Sequence, residues 1–401
     1  MNGKGTLFHP NDTVAFIGTF KDGKKNGNGQ EYEEDGSIYN GDYLNDYRNG
    51  EGSISNNGKE IFKGYWKNGL KHGHGREIMN QSIYVGDYYN GYRHGKGIQT
   101  RFDGQVIYNG EWQYDKRHGK GTIYMKNNDV YEGEFVNNLR EGIGKQYHNG
   151  KLVYEGGFAG GEYCGQGTLY NHETGLVKME GDFKSGRLNG TGCIYDEEGK
   201  LSYKGEVSDN YPNGKGIQYL PTGEKYEGEF NNGRLHGSAS VYSADNSLIC
   251  KGDFIYGKLH GEGYSQDSQG LYQGSFQNGE KCGKGRLCLF CGDEYEGEFE
   301  KDYYNGYGIM RGKDGQVLYE GEWRNGVRCG YGRCYFGNGE FYCGMFHDNM
   351  MNGKGTYYYA TGQPRFVGEF RNDKRNGEGT EYDIHGAILE QGFYVNGEEL
   401  I

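Results

Sequence analysis

Apolar and polar positions along this chain repeat one short phrase from end to end. Tyr131-Glu-Gly133-Glu-Phe135 runs ring, acid, glycine, acid, ring, and a period of two is the mark of a β-strand whose alternate side chains share a face. Counted from its central glycine, the phrase recurs at Gly18, Gly41, Gly64, Gly86, Gly110, Gly133, Gly156, Gly181, Gly205, Gly228, Gly252, Gly274, Gly297, Gly321, Gly344, Gly368 and Gly392, in steps of 22 to 25 residues. Two places before this anchor stands an aromatic in 14 of 17 units, the exceptions being Met179, Cys250 and Glu390. Two places after it an aromatic stands in 16 of 17, with Val207 the exception, and all three tryptophans occupy that position. Agreement of this kind excludes chance.

Nine places after the anchor comes a glycine in all 16 units long enough to show it, and at eleven places a third, with Ala239 the one departure. Beyond this G-x-G pair lie Asp35-Gly36, Asn57-Gly58, Asp103-Gly104, Asn149-Gly150, Thr222-Gly223, Asp314-Gly315 or Asn338-Gly339, which supply the positive φ of tight turns. The unit therefore reads as a strand Y-x-G-x-F, a loop of about six residues, a second strand opening with G-x-G, and a turn into the next unit. No segment has a helical period.

The pattern Y-x-G-x-F…G-x-G over roughly 23 residues, repeated seventeen times in phase, resembles the MORN repeat family. The resemblance implies an all-β fold: an elongated, single-sheet antiparallel β-hairpin solenoid occupying residues 1–401. A partial unit covers 1–15, regular repeats cover 16–379, and a closing unit covers 380–401. Proteins with similar repeats serve cytoskeletal structures, axonemes and radial spoke heads, and membrane junctions, so the resemblance implies protein partners of that kind, cytoskeletal or axonemal.

The residues support the fold independently. Tyr131, Gly133 and Phe135 share a face, so each anchor glycine leaves a vacancy between two rings, and the G-x-G pair leaves two more on the neighbouring strand. Rings laid over bare backbone would give a single sheet an aromatic spine in place of a second layer. Trp66, Tyr84, Tyr88, Tyr108, Trp112, Tyr131, Phe135, Tyr154, Phe158, Tyr295, Phe299, Tyr319 and Trp323 are the candidate lining of an aromatic trough.

Composition narrows the class. Only 33% of 401 residues are apolar, too few to pack several globular cores, while 15% aromatic content is too high for a disordered chain. Neither a transmembrane run nor the apolar core of a signal peptide is visible, and all nine cysteines lie from Cys164 onward, which is no secreted disulfide framework. These features point to a soluble cytoplasmic protein, and the resemblance implies association with the cytoskeleton and, in the ciliary case, an axoneme. Residues 1–145 hold 19 Lys+Arg and 19 Asp+Glu; the rest carries the whole net charge of −12, which speaks against nucleic acid.

Candidate chemistry is confined to interaction. Eleven units carry Asp or Glu just after the anchor, a face read as solvated acid. Seven places after it, six consecutive units present Lys25, Arg48, Lys71, Arg93, Arg117 and Arg140. Such a row would form a basic rim for acidic phospholipids or an acidic protein surface, or else would pair with strand carboxylates. The units from Met179 to Cys250 are irregular, through drift or at a bend or notch. Cys288 and Cys291 sit in a C-x-x-C, yet repeat geometry keeps Cys282 and Cys329 about 19 Å apart, so neither metal nor cofactor is expected. In the Gly-Lys-Gly triplets the lysine is followed by glycine rather than Ser or Thr, and none opens a helix, so they are strand starts rather than phosphate loops, and no enzyme is expected. Exposed edge strands would permit end-to-end pairing into a homodimer. The reading is a non-catalytic protein-binding scaffold, with a peripheral adaptor docking its basic rim on acidic lipid as the alternative.

Overall fold

The structure, a computed structural model, describes residues 1–400, and side chains up to residue 398. It divides into two units, Met1–Leu201 with Val207–Asn210, and Ser202–Glu206 with Tyr211 onward. In each, successive strands pair antiparallel with their sequence neighbours: Val106–Gln113 lies between Tyr92–Thr100 and Lys116–Tyr124. No helix occurs among the described residues. The all-β hairpin solenoid expected from the sequence is what each unit adopts.

Register places the repeated glycines opposite one another. In the first unit the column runs from Gly5–Gly18 through Gly97–Gly110, Gly110–Gly121 and Gly121–Gly133 to Gly181–Gly192. In the second it runs from Gly216–Gly228 to Gly379–Gly392, with Ala239 taking one place. Glycine is required where the ring two residues before the anchor is laid over the column. A Cβ on Gly121 would stand 2.4 Å from Tyr108 Oη, and one on Gly110 would stand 2.5 Å from the Gly121 Cα. Atoms of that kind cannot approach so closely, so ring and glycine are selected together.

At the anchor the register slips, as between Gly110 and Trp112, and the backbone bulges. The tyrosine hydroxyl reaches the carbonyl beside that slip: Tyr108 donates to Glu111 O at 2.9 Å, and Tyr84, Tyr131, Tyr203, Tyr295 and Tyr319 do the same at 2.8–3.0 Å. From Phe16 to Phe183, and again from Tyr272 to Tyr394, many of the rings flanking the anchors meet edge to face. Tyr84–Trp112, Tyr108–Trp112 and Tyr108–Phe135 have centroids 5.1–5.3 Å apart at 84–90°. Each such pair adds about 0.5–1.5 kcal/mol beyond burial.

One expectation is corrected. In place of a loop of about six residues there is a two-residue turn: strand Val14–Lys21 ends, Asp22 and Gly23 turn at φ 53° and 79°, and strand Lys24–Tyr32 begins. Positive φ at both positions is the type I′ hairpin, whose twist matches the strands it joins. At Tyr114-Asp115 the φ pair is 48° and 67° without any glycine. The side chain of the second turn residue explains its presence: Asp115 Oδ1 accepts the amide of Arg93, one repeat earlier, at 3.0 Å. Asp46, Asn138, Asn210, Asp302, Asn349 and Asp373 clamp the preceding repeat in the same way.

Candidate functional site

The six basic residues of the expected rim lie at the second position of their strands and fold onto the rings. Arg93 lies 4.4 Å from the Trp112 ring centroid, Arg48 4.7 Å from Tyr39, Lys71 4.7 Å from Phe62 and Lys25 4.9 Å from Phe16. Arg140 lies 5.3 Å from Phe158 and Arg117 5.8 Å from Tyr108. Their charged ends are engaged within the chain. Arg48 meets Glu31 at 2.6 Å, Lys25 pairs with the same carboxylate, Lys71 pairs with Glu77, and Arg93 reaches Asp115 at 3.0 Å. Arg140 donates to Gln146 at 2.8 Å and Arg117 to Asn138 at 3.4 Å. Burial works to raise the Glu31 carboxyl, but hydrogen bonds from Lys25, Arg48 and Tyr43 outweigh it and hold it below the ordinary carboxylate range.

This position is a lid over the aromatic spine, and its other occupants show why the basic row lapses. Tyr163 stacks on Tyr154 at 3.7 Å and 12°, and Tyr304 on Tyr295 at 3.9 Å and 20°. Where Met179 replaces the ring, buried Leu188 covers the column, and a Cβ on Gly192 would meet its Cδ2 at 2.9 Å. Leu259 covers Gly252 where Cys250 stands, and Leu235 is buried where Ala239 interrupts the glycines. Leu188 and Leu259 thus pack where both ring and cation are missing, and Leu235 where the cation alone is, since Tyr226 remains in its repeat.

The thirteen aromatic residues read as a trough lining are buried, from 0% exposed at Tyr84, Tyr108, Tyr131, Tyr154 and Tyr295 to 7% at Trp323. Trp66, Tyr88, Trp112, Phe135, Phe158, Phe299 and Tyr319 fall between. They are the core, and the groove runs along the other face of the sheet. There the glycines form a bare floor, and the residues immediately before and after each glycine form the walls. In the first unit one stretch is walled by Glu132, Lys145, Glu155, Gln166 and Thr168 over Gly144, Gly156 and Gly167, with Lys145 and Glu155 paired at 3.0 Å. Another is walled by Lys63, Tyr65, His74, Arg76 and Val85.

The acids after each anchor stand on these walls and fold back over the bulge. Glu322 Oε1 accepts the Tyr331 amide at 3.1 Å, and Asp87 and Glu206 take the amides of Lys96 and Lys215 at 3.3–3.4 Å. A lysine commonly faces the acid across the groove, as in Lys96–Glu111, Lys120–Glu134, Lys215–Glu229, Lys284–Glu298 and Lys354–Glu369. Among the described residues no three His, Cys, Asp or Glu side chains converge as metal ligands. Within each unit the arrangement offers a polar groove with shape and charge.

A family model described as MORN repeat matches the chain at residues 16–38, 62–79, 84–106, 108–130, 131–151, 154–171, 180–199, 203–225, 226–247, 250–270, 272–288, 295–317, 319–341, 342–363 and 366–383. The anchors Gly41 and Gly392 lie outside those segments, yet the strands carrying them, Ser37–Leu44 and Ile388–Val395, keep the glycine register. No curated protein matches the chain. Among solved structures, the crystal structure of the computationally designed Ika8 protein aligns over 74% of this chain and 95% of its own at 10% identity, with a TM-score of 0.14, too low to bear on the fold.

Proposed function

The chain belongs to the MORN-repeat family, and from that premise we propose that it is a non-catalytic scaffold joining protein partners in a cytoskeletal or ciliary assembly of the cytoplasm. Repeats of this family are generally modules for binding proteins or membrane lipids, and a scaffold role accords with them. One observation carries the choice of a protein partner. The six cations of the basic row are committed to rings and to carboxylates or side-chain amides inside the chain, with Arg48 and Arg93 only 18% exposed at the side chain, whereas the groove walls are open to solvent along each unit.

Proximity labelling in the source cell tests this reading. The scaffold account expects structural proteins of a cilium or cortical cytoskeleton among the labelled set, and a set without them counts against it. Co-sedimentation with acidic vesicles at low salt supplies the other arm. Strong salt-sensitive binding there would favour the lipid-adaptor reading.

A further inference from the structure

We propose that the groove between Gly297 and Gly344 is a docking site for arginine or lysine side chains of a basic segment on a protein partner. The inference rests on the scaffold reading and gives one stretch of the groove a ligand chemistry.

The observation is a substitution within the repeat itself. Opposite the acid that follows the anchor, five repeats set a lysine, among them Lys284–Glu298 and Lys354–Glu369 on either side of this stretch. Here Tyr307 stands opposite Glu322, and in the next repeat Tyr331 stands opposite Met345. The positions flanking the column glycines Gly297, Gly308, Gly321, Gly332 and Gly344 consequently hold four carboxylates, Glu296, Glu298, Glu320 and Glu322, and one cation, Arg333. That cation is already engaged, 3.5 Å from Glu320.

The tyrosines are presented rather than packed. Tyr307 is 55% exposed and Tyr331 57%, and the Tyr307 hydroxyl makes no hydrogen bond among the described residues. Tyr331 leans across the glycine floor, its Oη 3.1 Å from Cys343 Sγ. Two exposed rings two strands apart, about 9.6 Å by strand spacing, bracket the Glu322 carboxylate. A guanidinium or ammonium entering there takes the place of the absent lysine. It meets a ring face, which attracts a cation through its quadrupole, and the Glu322 carboxylate, which accepts the Tyr331 amide but faces Tyr307 in place of a cross-strand cation. Glycine backbone below lets the incoming stem approach closely.

The test uses the full chain and a fluorescent peptide of alternating Arg and Ser, with a Glu-Ser peptide as control, read by polarisation across a salt series. Wild type is expected to bind the Arg peptide in a salt-sensitive way and to ignore the Glu peptide. Tyr307→Lys restores the lysine other repeats use, so the protein keeps its fold while affinity for the Arg peptide falls about tenfold. Tyr307→Phe, which keeps the ring face, binds like wild type, and Tyr65→Ala in the other unit changes nothing. Equal binding by wild type and Tyr307→Lys, or equal binding of the two peptides, overturns the proposal. Such a failure leaves the scaffold reading standing if proximity labelling still returns structural partners; loss of those partners is what removes that reading.

Discussion

Tyr108 donates its hydroxyl proton to the carbonyl of Glu111 at 2.9 Å. The same hydroxyl end of the ring fills the space where a side chain on Gly121 would begin. One residue thereby seals the bulge in its own strand and dictates glycine on the next. Repetition of that relationship fixes the register of both units. It also explains why tyrosine outnumbers phenylalanine two places before the anchor.

Removing only the hydroxyl isolates the first half of the relationship. Tyr108→Phe keeps the ring and orphans the Glu111 carbonyl, at a cost of about 1 kcal/mol. Phe62, which occupies the equivalent place in another repeat, shows that the ring alone is compatible with the fold. Urea unfolding should show a small loss with unchanged secondary structure; a loss as large as that of Tyr108→Ala would mean the ring contributes little.

The lid position predicts an order among substitutions at Arg93. Arg93→Leu copies what Leu188 does elsewhere in the same unit and should cost less than about 1–2 kcal/mol, the worth of a cation over Trp112 and a half-buried ion pair. Arg93→Glu places a carboxylate against a ring face and beside Asp115, and should cost more. Thermal melts of the two variants decide it. Equal melts would return these residues to the role of a free rim.

At the Tyr114-Asp115 turn the two functions of the second residue separate. Asp115→Ala loses both bonds to Arg93 and leaves a Cβ residue at φ 67° without side-chain help. Asp115→Gly loses the bonds but relieves the backbone. Glycine should therefore be the milder change, by about 1 kcal/mol, and hydrogen exchange of the Arg93 amide should rise in both.

Alkaline pH should unfold the spine. Burial pushes the Tyr108, Tyr131 and Tyr203 hydroxyls up to about 12, against about 10 for a free tyrosine. Because the folded value is the higher one, this stabilisation is complete below pH about 10 and is lost as pH climbs toward 12. Circular dichroism followed together with tyrosinate absorbance should show sheet loss accompanying ionisation. Full ionisation near pH 10 with the sheet intact would contradict the burial.

The sequence disclosed the strands, the glycine phase and the rings because every repeat meets the same steric demand there. With the Tyr108 ring in place, a side chain at Gly121 has no room to begin. The lid was hidden because its requirement is shape: Arg93, Tyr163 and Leu188 all cover the spine, and a run of Lys and Arg looks like charge meant for solvent. The two-residue turn was hidden because Asp22-Gly23, Tyr114-Asp115 and Lys301-Asp302 share a conformation without sharing a dipeptide. Alternation also told which side chains share a face, but not which face stays open. Packing of the seventh residue over the rings closes one side and leaves the acid-lined side as the groove.

The central claim is tested most directly by a double-mutant cycle between Tyr108 and Gly121. All three atoms nearest a Cβ at Gly121 belong to Tyr108, so Gly121→Ala should cost about 1–3 kcal/mol in wild type and much less once Tyr108→Ala has removed the ring. The account predicts a coupling of at least about 1 kcal/mol between the two changes in urea unfolding. Equal cost of Gly121→Ala in both backgrounds would contradict it.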